Sequence, residues 1–97
     1  MSIEELNNVV KNSERAVVKF GASWCGPCRA MKPVFDRLSK TYNDVSFVEV
    51  DIDDSEDVAM KFGVMSVPTL MFFKNGEFLD RMVGLAKSED IEELIKK

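Results

Sequence analysis

Apolar positions along the chain alternate between helical and strand periods, and the changes of period mark out its elements. Ile3, Leu6, Val9 and Val10 recur at helical spacing behind Ser2-Ile3-Glu4-Glu5, a capping-box pattern, which predicts a first helix over about residues 3–12. Asn12-Ser13-Glu14 reads as a turn. Ala16-Val17-Val18-Lys19-Phe20-Gly21 is then almost continuously apolar, as expected of a central strand buried on both faces. A second helix starts near Pro27 and carries Cys28, Met31, Phe35, Leu38 and Tyr42 at steps of three and four. Pro33 inside it should kink it, because proline lacks a donor and clashes one turn back.

Asn43-Asp44 closes that helix, and Val45 to Asp51 reads as a strand. Asp53-Asp54-Ser55 is expected to cap a short third helix bearing Val58, Ala59 and Phe62, ended by Gly63 in a left-handed conformation. Val67 to Phe73 is a strand with Pro68 at its entrance. Asn75-Gly76 signals a type I′ turn into Phe78–Val83. Ser88 is expected to cap a last helix, with Glu89 and Asp90 in its first turn and Ile91, Leu94 and Ile95 facing the core. Two strand–helix–strand crossovers followed by an antiparallel hairpin predict an α/β fold, a mixed sheet of four main strands with helices on both faces.

The 97 residues, 45% of them hydrophobic, suit one domain spanning 1–97 with a core large enough to need no crosslinks. A net charge of -4, with both signs mixed along the chain, gives no reason to expect nucleic acid or an anionic membrane as partner. No apolar run approaches the roughly 18 residues of a membrane span. The acidic, amphipathic start differs from a secretory leader and favours a cytoplasmic location.

Trp24-Cys25-Gly26-Pro27-Cys28 holds both cysteines and the only tryptophan, and the sequence has no histidine. Four readings of the pair compete. Zinc takes four ligands and two thiols supply half of them, so no metal site closes within the chain. A disulfide across two intervening residues removes little entropy from the unfolded chain and is a poor structural staple. Two ordinary core cysteines would not call for Trp24, Gly26 and Pro27 beside them. Redox exchange fits best, and it needs no bound cofactor. Cys25 would precede the first turn of the second helix, where unpaired N–H groups and the helix dipole favour an anion. The size of that effect matters: a thiol with pKa ~8.5 is only about 3% thiolate at neutral pH, so roughly 2 kcal/mol of stabilisation raises the reactive fraction more than tenfold. Cys28, one turn in, is expected to be deeper and more apolar. That gives an attacking thiol and a resolving one.

A Trp-Cys-Gly-Pro-Cys motif after a buried strand and before a proline-containing helix resembles the active site of the thioredoxin family. The resemblance extends from Val17 to Gly84 through Phe20, Ala22, Pro33, Val50-Asp51, Val67-Pro68-Thr69, Lys74-Asn75-Gly76 and Gly84, and includes the last helix. It implies a three-layer fold and a protein-disulfide reductase, with Cys25 attacking, Cys28 resolving, and Trp24, Gly26 and Pro27 in support. It also implies that Pro68 is a cis-proline facing the cysteines. Trp24, Val67, Pro68, Gly84 and Leu85 would then form a shallow substrate groove, the backbone of Val67 pairing with an extended target. The implied partners are disulfide-containing target proteins and a flavin- and NADPH-dependent thioredoxin reductase, with the chain acting as a monomer in cell redox homeostasis. Gly26-Pro27 matches the reducing members, whereas oxidising relatives usually carry histidine at the place of Pro27.

Two departures qualify the resemblance. Many thioredoxins have a buried aspartate six residues before the first cysteine, and Lys19 stands there in this chain, with Glu49 at the matching place on the neighbouring strand. A buried contact between the two is expected, with Lys19 or the Glu49 carboxylate assisting proton transfer at Cys28; the bland alternative is a lysine that snorkels to solvent. Many thioredoxins also begin with an edge strand, here expected to be missing or vestigial, which leaves Val45–Asp51 near a sheet edge guarded by Glu49 and Asp51. The rival functions are a non-catalytic adaptor, which would ordinarily have lost a cysteine, and a disulfide oxidase or isomerase, which would carry a secretory leader and a less reducing centre.

Overall fold

A computed structural model describes residues 1–97. The elements are α1 (Ile3–Asn12), β1 (Arg15–Gly21), α2 (Gly26–Thr41), β2 (Ser46–Asp51), α3 (Glu56–Lys61), β3 (Thr69–Lys74), β4 (Glu77–Val83) and α4 (Ser88–Ile95). The sheet is four-stranded, in the order β2-β1-β3-β4. β1 pairs in parallel with β2, placing Lys19 opposite Glu49, and antiparallel with β3. The expected second crossover is therefore corrected: β3 enters on the far side of β1 and runs the other way. β2 lies at a sheet edge, as expected.

Alternation along β1 divides the core between the two faces of the sheet. Val18 and Phe20 pack with Leu6 and Val10 of α1, Val50 of β2, Val58 of α3 and Met71 of β3. Val17 packs on the other face with Met31, Phe35 and Leu38 of α2, Leu70 and Phe72 of β3, and Ile91 and Ile95 of α4. Lys19 shares the α2 face with Val17, so a lysine is built into an otherwise apolar layer. α2 continues through Pro33 to Thr41.

Asn75 and Gly76 both have positive φ, 53° and 83°, as a type I′ turn requires. The β3–β4 register slips between Phe72 and Phe73, pairing Phe72 with Asp80 but Phe73 with Phe78, so that Leu79 is the extra residue of a bulge. Gly63 ends α3 with φ 68°. Two cap assignments are corrected. Ser55 sits at the N-cap of α3 without capping it; its hydroxyl donates instead to the Met1 carbonyl at 2.9 Å. Lys87, not Ser88, is the N-cap of α4.

The capping box of α1 forms in full: the Glu5 N–H donates to Ser2 Oγ at 3.1 Å and the Ser2 N–H to Glu5 Oε1 at 3.0 Å. The backbone N–H and hydroxyl of Ser2 hold the Glu5 carboxyl below the usual glutamate range. A native pKa below the unfolded one adds stability above the ordinary glutamate range, and that stability fades as pH falls through the lowered value. Ser2→Ala is expected to cost about 1 kcal/mol, read as a melting temperature lower by roughly 4–8 °C. The difference from wild type should narrow in acid, where the Glu5 half of the box is lost as well.

Candidate active site

β1 ends at Gly21, and the chain turns through Ala22, Ser23 and Trp24 to reach α2. A Cys25–Ala22 backbone hydrogen bond of 3.1 Å tightens this turn. Cys25 is the N-cap of α2, and its Sγ accepts the Cys28 N–H at 3.2 Å. Pro27 occupies the first turn, where a missing donor costs nothing. Cys25 and Cys28 are joined in a disulfide with Cα atoms 5.3 Å apart. They pack with Ala22 in a small cluster of their own, against Ile52 and Val67.

The expected difference in depth between the two thiols is absent from the oxidised form: Cys25 is 4% exposed and Cys28 5%. Both are covered by the packing of Ala22, Ile52 and Val67 around them. What separates them is their surroundings. Cys25 takes a backbone N–H from the helix start, whereas Cys28 faces inward against β1, where a Cβ on Gly21 would lie 3.3 Å from its sulfur.

The Val67–Pro68 peptide is cis. Val67 packs on the cysteine cluster, and the Pro68 carbonyl accepts the Gly84 N–H at 2.8 Å, which ties the end of β4 to this loop. Thr69, buried at the start of β3, donates through Oγ1 to the Ser66 carbonyl at 2.7 Å and pins the loop from behind. Gly84 has φ 92°, which favours glycine there. Leu85 follows it and is exposed, as are Gly26 and Pro27. Trp24, 64% exposed, is held by a 2.9 Å hydrogen bond from Nε1 to Asp53 Oδ2.

Lys19 is buried as expected, and its Nζ lies 3.3 Å from Glu49 Oε1 and 5.2 Å from the centre of the Phe35 ring. Two partners escaped the sequence. Asp53 looks there like a helix cap rather than an anchor for Trp24. Lys32, which reaches Glu49 Oε2 at 3.9 Å and Asp36 at 3.7 Å, shows locally only its four-residue spacing from Asp36.

The sequence matches the Thioredoxin family model over residues 1–97. The chain belongs to the thioredoxin family. Among its relatives, it is 45% identical over 93 residues to a thioredoxin of Ophiophagus hannah, covering 96% of this chain and 86% of that one. The structure resembles oxidised mitochondrial thioredoxin 3 of Saccharomyces cerevisiae, with TM-score 0.91, 35% identity, and coverage of 98% and 89% of the two chains. A thioredoxin from Nicotiana alata superposes with TM-score 0.87 at 41% identity, covering 96% and 81%. Thioredoxins are protein-disulfide oxidoreductases, and the Cys25–Cys28 pair gives this chain dithiol–disulfide chemistry. Disulfide-containing targets and a reductase are the partners the family implies. No helix is long and apolar enough to cross a membrane.

Proposed function

We propose that this chain, as one domain over residues 1–97, is a reducing thioredoxin, an electron donor to target proteins in the cytoplasm. The observation that carries this is the disulfide at the start of α2, with Cys25 as N-cap beside the cis Val67–Pro68 peptide. In the dithiol form the Cys25 thiolate attacks one sulfur of a target disulfide, and the other target sulfur leaves with the electron pair and takes a proton. Cys28 then loses its proton and attacks Cys25 Sγ. The mixed disulfide breaks, the second target thiol departs, and Cys25–Cys28 is left oxidised. Two electrons have passed to the target, and a flavin- and NADPH-dependent thioredoxin reductase supplies two more from NADPH to restore the dithiol of the monomer.

The groove for the target is formed by Trp24, Val67, Pro68, Gly84 and Leu85. Val67 precedes the β3–β4 ladder, which begins at Thr69 opposite Val83, and so offers its backbone to an extended segment. Gly26 and Pro27 shape the rim, and Lys19 supports Cys28 from behind. The role assignment is tested by Cys28→Ser. With the resolving thiol gone, the variant should accumulate a mixed disulfide with target protein that dithiothreitol releases, seen as a mass increase on non-reducing gels. Trapping through Cys28 in the reciprocal variant, and none through Cys25, would reverse the roles.

A further inference from the structure

A cleft of about 390 Å³ opens behind Cys28, lined by Lys19 and Gly21 of β1, Arg29 and Lys32 of α2, and Glu49 and Asp51 of β2. Its charged groups are three cations against two carboxylates, with Asp36 of α2 reaching Lys32 from outside. They are unequally screened. The Lys19 side chain is 7% exposed, against 43% for Glu49 and 61% for Lys32, so Lys19 carries the charge that solvent and salt weaken least. Glu49 lies 3.3 Å from Lys19 and 3.9 Å from Lys32, and Lys32 is also met by Asp36 at 3.7 Å, so Glu49 is the one carboxylate in salt-bridge contact with Lys19.

Lys19 and Cys28 line the same cleft. Gly21, two residues on and on the same face of β1, approaches Cys28 Sγ closely enough that an added Cβ would sit 3.3 Å from it. Lys32 lies one turn after Cys28 on the same side of α2. The stem of Lys19 lies along an apolar layer, with its ammonium held near the Phe35 ring.

We infer that Lys19 is a positioning residue for resolution, its buried ammonium favouring the thiolate of Cys28, with Glu49 tempering that field rather than taking the proton. This rests on the reading of Cys28 as the resolving thiol. In that step the Cys28 proton leaves to solvent in the cleft, and the sulfur's electron pair forms the bond to Cys25 Sγ. The bond from Cys25 to the target sulfur breaks, and that sulfur leaves with its pair and is protonated. A cation behind Cys28 raises the population of the form that attacks.

The test is the pH profile of iodoacetamide alkylation in the full chain carrying Cys25→Ser, where Cys28 is the only thiol. Adding Lys19→Met should displace the profile to the alkaline side and slow alkylation at neutral pH about tenfold, and Lys19→Arg should recover it to within about threefold. Glu49→Gln should act in the opposite sense and speed alkylation about threefold. A folded Lys19→Met variant with an unmoved profile overturns the inference. If Lys19→Met does not fold, Glu49→Gln decides: unchanged or slower alkylation overturns it, because a proton acceptor or a bystander would give that result. No target or reductase enters this measurement, so failure of the reductase reading would appear separately, as no insulin reduction by the wild-type chain while Lys19→Met still displaces the alkylation profile.

Discussion

Cys25→Ser is expected to reduce the rate of insulin-disulfide reduction by dithiothreitol to the uncatalysed background. Cys25 is the N-cap of α2 and the thiol whose sulfur accepts a backbone N–H at the helix start. That position stabilises a negative sulfur through the unpaired amides and the dipole of the first turn. A serine hydroxyl there keeps the cap, since serine is a preferred N-cap residue, so the fold survives. The hydroxyl is not ionised near neutral pH and cannot form a reducible bond to sulfur. The loss is therefore of chemistry, not of structure, and circular dichroism of the variant should match wild type. Equal turbidity curves for the two proteins would defeat the reductase reading and favour an adaptor.

Phe20→Ala has the largest expected effect on stability. Phe20 is fully buried between β1 and the α1–α3 layer, its ring centroid 5.9 Å from that of Phe62. Truncation removes a large apolar surface and leaves a cavity among Leu6, Val18, Val58 and Met71, whose positions are fixed by two helices and the sheet. The expected cost is about 3–5 kcal/mol, a large share of the ~5–15 kcal/mol that holds a domain folded. Urea unfolding should show a lower midpoint at unchanged slope. Lys19, its neighbour in sequence, points to the other face, so Phe20→Ala should leave the Cys28 alkylation profile of the folded protein where it was.

What the sequence made legible was local or periodic. Ser2 and Glu5 announce the α1 cap because both partners lie within one turn, and Asn75-Gly76 announces its hairpin because both residues must take positive φ. The apolar run of β1 correctly marked the central strand. Local resemblance misled where a distant partner competed. Ser55 is the right kind of residue for a cap, but Met1 takes its hydroxyl from 54 positions away. The direction of β3 was also beyond a pattern reading, since alternation of apolar residues is the same for a strand read either way. At the site, the cysteines, Trp24 and Pro68 stood out by type and spacing. Asp53 and Lys32 did not, because each is an ordinary surface charge until the fold sets it beside Trp24 or Glu49. The greater depth expected for Cys28 failed because Ala22, Ile52 and Val67, distant or non-helical in sequence, pack around both cysteines.

The two cysteines belong to a single turn of α2, one at its cap and one just inside it. Making or breaking their bond therefore joins no separate parts of the molecule and asks no layer to shift against another. On this geometry the disulfide and dithiol forms are expected to have nearly the same silhouette. A partner that must tell them apart has to probe the few atoms at the tip of one helix. Discrimination between donor and acceptor states is thus a matter of reactivity at close contact rather than of shape.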